Sequence, residues 1–193
     1  MLISYLEIYK EYGYDLLDEN HSSKSLFDLP KVQMLENAEG KFTLRNLSVH
    51  RADNEEDALN LLFIGDTNRA VSETPKNDAS TRSHCIFVIQ LETQRADTNV
   101  KLVSKLHIVD LSGSERVHKT GVNDEKIIAE AKAINSGLFY LQLVIQALNK
   151  KAKGEKTHIP FRDSMMTMVL RDSLGGNCNT KMIATVSALE EDI

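Results

Sequence analysis

The sequence predicts an α/β domain built on a layered sheet, and three observations carry that prediction. An apolar strand, Leu106-His107-Ile108-Val109, breaks at Asp110 into a turn containing Gly113. An acid at the end of a buried strand, followed by a glycine turn, is a common place for phosphates and Mg²⁺ to meet α/β proteins. Strand-like and helix-like stretches alternate through the second half. Finally, 193 residues with 41% hydrophobic and 26% charged side chains suit one globular domain.

Taken in order, residues 2–9 (LISYLEIY) read as a strand, being rich in β-branched and aromatic residues. That strand starts at once, with no leader, which reads as a chain cut into a larger domain. Residues 18–30 are polar and loop-like. Residues 32–35 and 42–49 read as two short strands around Glu39-Gly40, a hairpin signal. Asp53 and Glu56 form a capping-box pattern for a helix whose apolar face is Ala58, Leu59, Leu62 and Phe63, with Gly65 as its stop. Residues 66–83 contain Pro75 and read as a long loop or broken helix. Strands follow at 84–91 and 102–111.

Asn123 can cap a long helix over 124–150. Its residues Ile127, Ala131, Ile134, Leu138, Leu141, Ile145 and Leu148 recur at spacings of 4 and 3. A coiled coil is rejected because Ile128, Phe139, Tyr140, Leu143 and Val144 widen the face and Gly137 interrupts it. Residues 150–157 form a basic loop, 162–174 a second helix ended by Gly175-Gly176, and 181–188 a final strand.

No run of 18 apolar residues is present, which excludes an α-helical membrane span, and the N-terminus lacks the basic and small-residue features of a signal peptide. Cys85 and Cys178 have no paired spacing and read as plain core residues. Net charge is −5 but uneven: −7 over residues 1–115, +5 over 116–171 and −3 over 172–193. A basic segment in an acidic chain reads either as a face for an acidic partner or as a solvated surface. His21, His50, His107 and His118 show no ligand spacing.

Two clusters carry chemistry. The first is Asn77-Asp78-Ala79-Ser80-Thr81-Arg82-Ser83-His84, a loop with three hydroxyls and a guanidinium. The second is Asp110-Leu111-Ser112-Gly113-Ser114-Glu115-Arg116. Hydroxyl and carboxylate oxygens suit a hard cation, a glycine N–H can approach a terminal phosphate, and Glu115 could pair with Arg82. Each cluster alone fits an ordinary turn better than a nucleotide site.

Together, and in this order, the clusters resemble the switch I and switch II pair of kinesin motor domains. Residues 4–9 (SYLEIY), Glu130-Ala131 with Ile134-Asn135, His158-Ile159-Pro160-Phe161-Arg162-Asp163-Ser164 and Asp172-Ser173-Leu174-Gly175-Gly176-Asn177 are similar to further kinesin strings. Glu73-Thr74-Pro75, residues 61–69 and residues 164–167 look most like the ninth kinesin subfamily, known from cilia and flagella. The resemblance implies a P-loop NTPase sheet with helices on both faces, and a single partial motor domain over 1–193. It implies ATP and Mg²⁺ as ligands and a microtubule as partner, with neither nucleic acid nor membrane. Cytoplasm and cytoskeleton follow as the location, with the axoneme of a cilium or flagellum within them. Ser80 and Thr81 would face the γ-phosphate and Mg²⁺, with Asn77 and Ser83 lining the nucleotide. Asp110 would hold a Mg²⁺-bound water, and the Gly113 N–H would sense the γ-phosphate. Arg82 and Glu115 would close the site and position the attacking water. Lys119 and Arg162 would face acidic tubulin, the cluster Lys150, Lys151, Lys153 and Lys156 less so.

The match has gaps. No G-x-x-x-x-G-K-S/T string occurs in the 193 residues, so the backbone cradle for the triphosphate is missing. The kinesin sheet would also have strands before residue 1 and one between 102–111 and 181–188. The chain should therefore need its other half, a second copy, or a rearranged sheet. Kinesins usually carry Lys at Met165 and Arg at Met168, and Ile-Asn-Lys-Ser-Leu over residues 134–138. The competing reading is a non-hydrolysing microtubule-binding or scaffold protein of kinesin shape. The SGSER and HIPFR strings do not fit a myosin or a small GTPase.

Overall fold

The computed structural model describes residues 1–21, 23–36, 42–71, 83–94, 100–113, 125–175 and 177–185, and the side chains of these apart from 70–71 and 125–134. The centre is an antiparallel sheet. Strand β1 (Leu2–Tyr9) lies between β2 (Tyr12–Asp15) and β6 (His84–Gln94), and β7 (Lys101–Asp110) follows β6. A short β5 (His50–Arg51) pairs with the start of β1, and β3 (Gln33–Glu36) with β4 (Phe42–Arg45) forms a separate hairpin.

Alternation along β1 and β6 sends side chains to two different cores. Leu6, Ile8 and Ile86, with Val88 and Val109 beside them, meet Leu141 of α2 (Glu125–Ala152) and Met165 and Met166 of α3 (Met165–Val169). Ile3, Tyr5, Cys85 and Phe87 meet Leu16, Leu17, Ala52 and, from α1 (Glu55–Val71), Ala58, Leu61 and Leu62. Helices thus cover both faces of the sheet, as expected. The register Leu6↔Ile86 and Tyr5↔Phe87 keeps the two cores separate, and the Tyr5 and Phe87 rings meet edge to face at 5.2 Å.

The hairpin β1–β2, absent from the sequence reading, turns on Lys10 and Glu11, both at positive φ (50° and 64°). Two consecutive positive φ values make the tight turn antiparallel strands favour, here without its usual Asn or Gly. Glu11 Oε2 then accepts the N–H of Met165 at 2.7 Å, joining this turn to α3.

Several expectations are corrected. The expected loop 18–30 contains a 3₁₀ turn at Leu26–Asp28 and buries His21, Leu26 and Leu29. The α1 cap sits one residue later than expected: Asn54 Oδ1 accepts the Asp57 N–H at 2.8 Å, and Asp57 Oδ2 accepts that of Asp53 at 2.9 Å. Leu59 and Phe63 are exposed, and the inner face runs through Ala58, Leu61 and Leu62. Gly65 does not stop α1, which runs on to Val71; it is there because Tyr5 lies directly on it. In α2 the buried line is Leu141, Val144 and Ala147, while Phe139 is exposed.

The expected helix 162–174 is a 3₁₀ turn (Phe161–Asp163), α3, and α4 (Arg171–Leu174). Ser164 separates the first two because its backbone is extended (φ −144°, ψ 155°) while its Oγ caps Thr167 N–H at 3.1 Å. Residues 181–185 are not a strand and are exposed, Ile183 at 91%. A strand-like alternation earns no ladder without a neighbour to pair with. Cys85 is buried, as expected, but Cys178 is exposed, its Sγ 2.8 Å from the Ser173 carbonyl. The Asn123 cap, the Glu39-Gly40 turn, Glu73-Thr74-Pro75 and residues 186–188 lie outside the described residues. Among the described residues no helix is long and apolar enough to cross a membrane.

Candidate functional site

The β6–β7 register brings the two sequence clusters together. Cys85 pairs with Asp110, so Ser83 and His84, the end of the first cluster, lie beside the start of the second. Ser112 donates its backbone N–H to His84 Nδ1 at 3.0 Å. That bond leaves the imidazole proton on Nε2. Burial drives the His84 pKa down to about 4, with Asp110 opposing and Arg69 reinforcing, so the ring is neutral near pH 7. Its Nε2 lies against α2: a Cβ on Gly137 would sit 3.3 Å from it and 3.3 Å from Glu11 Oε1.

Arg69, in the last turns of α1, donates from Nη1 to Asp110 Oδ2 at 2.9 Å and from Nη2 to the Ser83 carbonyl at 3.3 Å. The guanidinium is sunk and the carboxylate open, at 12% and 67% side-chain exposure. The sequence reading missed Arg69 because it ended α1 at Gly65 and left residue 69 in a loop. Buried Cys85 lies between these groups, and burial pushes its thiol up to about 12, so it is not a nucleophile.

Ser83, Asp110 and Gly113 are therefore gathered at one end of the sheet. Asn77, Ser80, Thr81, Arg82, Glu115 and Lys119 lie outside the described residues. A cavity of about 420 Å³ opens beside the site between α1 and the sheet. Its lining, Tyr5, Ala58, Leu62, Phe87 and Ile108 among others, is apolar, and Asp110 only borders it, so it does not suit a phosphate.

The cations take a different place. Lys150 and Lys151 end α2, and Lys153 lies in the turn after it; all three are exposed. Gly154 (φ +86°) donates to the Lys151 carbonyl at 3.0 Å and Glu155 to that of Lys150 at 3.1 Å. This helix-ending pattern holds the lysines on a fixed turn rather than a loose loop. Arg162 is not a free cation: Nη2 donates to Glu36 Oε2 of β3 at 2.6 Å. Arg171 lies 4.9 Å from the Phe42 ring, so the β3–β4 hairpin is fastened to the same end. Met165 and Met166 are buried in the core, so the position at which kinesins usually carry Lys faces inward.

The kinesin motor domain family model matches residues 1–193. The chain belongs to the kinesin motor domain family. It is 42% identical to mouse kinesin-like protein KIF9 over 95% of its own length, 41% to human KIF9, and 38% to Chlamydomonas reinhardtii kinesin-like protein KLP1. It spans 23% of each of these kinesin relatives. A solved structure described as that of a fast kinesin superposes with a TM-score of 0.74 and 34% identity, over 92% of this chain and 47% of that one. The fold is thus a partial span of the kinesin fold, and the nine-like resemblance of the sequence agrees with these relatives.

Proposed function

We propose that the chain is the switch-bearing part of a microtubule motor, coupling the γ-phosphate of ATP to contact with tubulin. The observation that carries this reading is the β6–β7 register, which sets the end of the hydroxyl cluster beside the Asp110–Gly113 turn. The site fits the ligands its family implies. Asp110 offers a largely exposed carboxylate at a strand end, and Oδ1 has no hydrogen-bond partner among the described residues. Oxygen donors of this kind suit Mg²⁺, which keeps several of its waters.

In this reading Mg²⁺ supplies charge neutralisation at the phosphates. Asp110 would help hold the metal, the Ser80 and Thr81 hydroxyls and the Gly113 N–H would bind the terminal phosphate, and Asn77 and Ser83 would line the nucleotide. Arg82 and Glu115 close the site and position the attacking water. The helix α2 runs from beyond the second cluster to the lysine turn, linking phosphate contact to the track. Lys119, Lys150, Lys151, Lys153 and Arg162 face acidic tubulin. The fast-kinesin structure bears on ATPase mechanism and microtubule interactions by its own description, which supports the reading by kinship. Kinship to KIF9 and KLP1 supports a cytoskeletal location for the complete protein, in this reading that of a cilium or flagellum.

Co-sedimentation with microtubules tests the reading. Binding should weaken with salt, and Arg162→Glu should lower affinity about fivefold, the scale of one exposed charge contact. Unchanged binding would remove Arg162 from the surface. Absent a G-x-x-x-x-G-K-S/T segment in these residues, Mg²⁺–ATP should bind the 193-residue chain with a dissociation constant weaker than about 0.1 mM. Micromolar affinity by isothermal titration would show that the cradle is dispensable. The inward-facing Met165 favours the second reading, a non-hydrolysing microtubule-binding protein; salt-sensitive binding with no nucleotide response would select it.

A further inference from the structure

We propose that Glu11 is a positioning residue that joins α3 to the Asp110–Gly113 turn through a polar gap over Gly137. One of its carboxylate oxygens holds Met165, and the other faces the His84 ring that holds Ser112. Three observations lead there. The first is the backbone. Glu11 sits at φ 64° beside Lys10 at φ 50°, a conformation that residues with a side chain rarely adopt. Such positions persist where the surroundings fix them, and they cluster at functional sites. The second is the division of the carboxylate. Oε2 accepts the Met165 N–H at 2.7 Å, and no hydrogen bond among the described residues reaches Oε1.

The third is what Oε1 meets. A Cβ at Gly137 would sit 3.3 Å from Oε1 and 3.3 Å from His84 Nε2, with Met166 Cε next at 3.8 Å. One methyl-sized space on the buried side of α2 is thus bounded by an acceptor and by a donor. The donor is Nε2, because Nδ1 takes the Ser112 N–H at 3.0 Å. The other contact of Nε2, to Ser112 Oγ at 3.5 Å, is long for a hydrogen bond. Donor and acceptor therefore face one another across a residue that brings no side chain between them. A relay of named groups results: the Met165 N–H, Glu11, the Gly137 gap, His84 and the Ser112 N–H. It starts at α3, three residues after Arg162, and ends in the second sequence cluster. The consequence for contact with the track rests on the motor reading above; the relay itself does not.

Hydrogen exchange at two single amides, Met165 and Ser112, tests the relay in the full chain. Glu11→Ala should speed exchange about tenfold at Met165, which loses its acceptor, and about threefold at Ser112, whose own acceptor is His84. A carboxylate offers two acceptor oxygens and a carboxamide one. Glu11→Gln can therefore satisfy one donor, so one of the two amides should speed up and the other stay near wild type. Gly137→Ser and Gly137→Ala add nearly the same bulk, and Ala is the better helix former. A Ser hydroxyl can accept from Nε2 and donate to Oε1, so Ser112 should exchange about threefold more slowly in Gly137→Ser than in Gly137→Ala. Unchanged Ser112 exchange in Glu11→Ala, wild-type exchange at both amides in Glu11→Gln, or equal rates in the two Gly137 variants overturns the relay. So does an equal acceleration throughout the sheet, which would reduce Glu11 to a stabilising residue. Co-sedimentation with microtubules reads the consequence: Glu11→Ala should bind about threefold more weakly. Unchanged binding with the exchange pattern above would overturn the link to the track while upholding the relay. If the wild type does not bind microtubules, the motor reading fails, and the exchange data alone decide the relay.

Discussion

Gly65→Ala should destabilise the chain by about 1–3 kcal/mol, although Ala is the better helix former. In a helix interior the exchange ordinarily gains about 1 kcal/mol. Here a Cβ at residue 65 would sit 2.2 Å from Tyr5 Cδ1 and 2.7 Å from Cε1. The ring cannot swing aside freely. It is buried, its edge-to-face contact with Phe87 is at 5.2 Å, and its hydroxyl is held by Asp66 at 2.7 Å. Overpacking a buried site costs about 1–3 kcal/mol, and a lost hydrogen bond about 1 more. The steric terms exceed the propensity gain. A net loss of about 1–3 kcal/mol corresponds to a fall in melting temperature of roughly 3–10 °C for a chain of this size. Urea and thermal denaturation of both proteins measure it. A Gly65→Ala variant more stable than wild type would mean that Gly65 is a helix end and not a contact.

That glycine also marks where the sequence stopped being legible. Elements whose partners lie within the described chain read well: β1, β6, β7, the β3–β4 hairpin and α2 all follow from apolar periodicity. The β1–β2 turn did not read, because Lys10 and Glu11 adopt positive φ without Gly or Asn to announce it. Gly65 looked like a stop because propensity carries no information about Tyr5, sixty residues away. Ending α1 there hid Arg69, which acts only from a helix that continues. Residues 181–185 failed in the opposite sense. Their alternation is strand-like, yet pairing is a tertiary property and no strand among the described residues pairs with them. The site itself was legible as two strings, but their juxtaposition comes from the β6–β7 register, and the His84 and Arg69 links that lock it appear only in three dimensions.

The His84 link makes stability depend on pH in a defined window. In the folded chain burial holds the His84 pKa near 4, against an ordinary value of 6.5. Below pH 6.5 the unfolded chain takes up a proton that the folded chain refuses, so stability falls as pH falls from 6.5 to 4. The loss levels off below pH 4, where both states are charged, at about 3 kcal/mol. By pH 5 it is about 2 kcal/mol relative to pH 7.5. Burial lowers His107 and His21 as well, so they add to the slope in the same direction. Asp18, whose carboxyl is held below its usual range, acts only at lower pH and cannot account for this window. The groups facing His84 set the sign of any cooperation: Asp110 favours the imidazolium, Arg69 opposes it, and the Ser112 N–H points at the nitrogen that would have to accept the proton. Protonation therefore breaks the bond between the two clusters as well as charging a buried ring. His84→Gln keeps an acceptor for Ser112 and cannot titrate. Urea midpoints should fall between pH 7.5 and pH 5 in the wild type and fall much less in His84→Gln. Equal slopes in the two proteins would show that another group carries the acid sensitivity, and a flat wild-type profile would show that His84 is not held neutral.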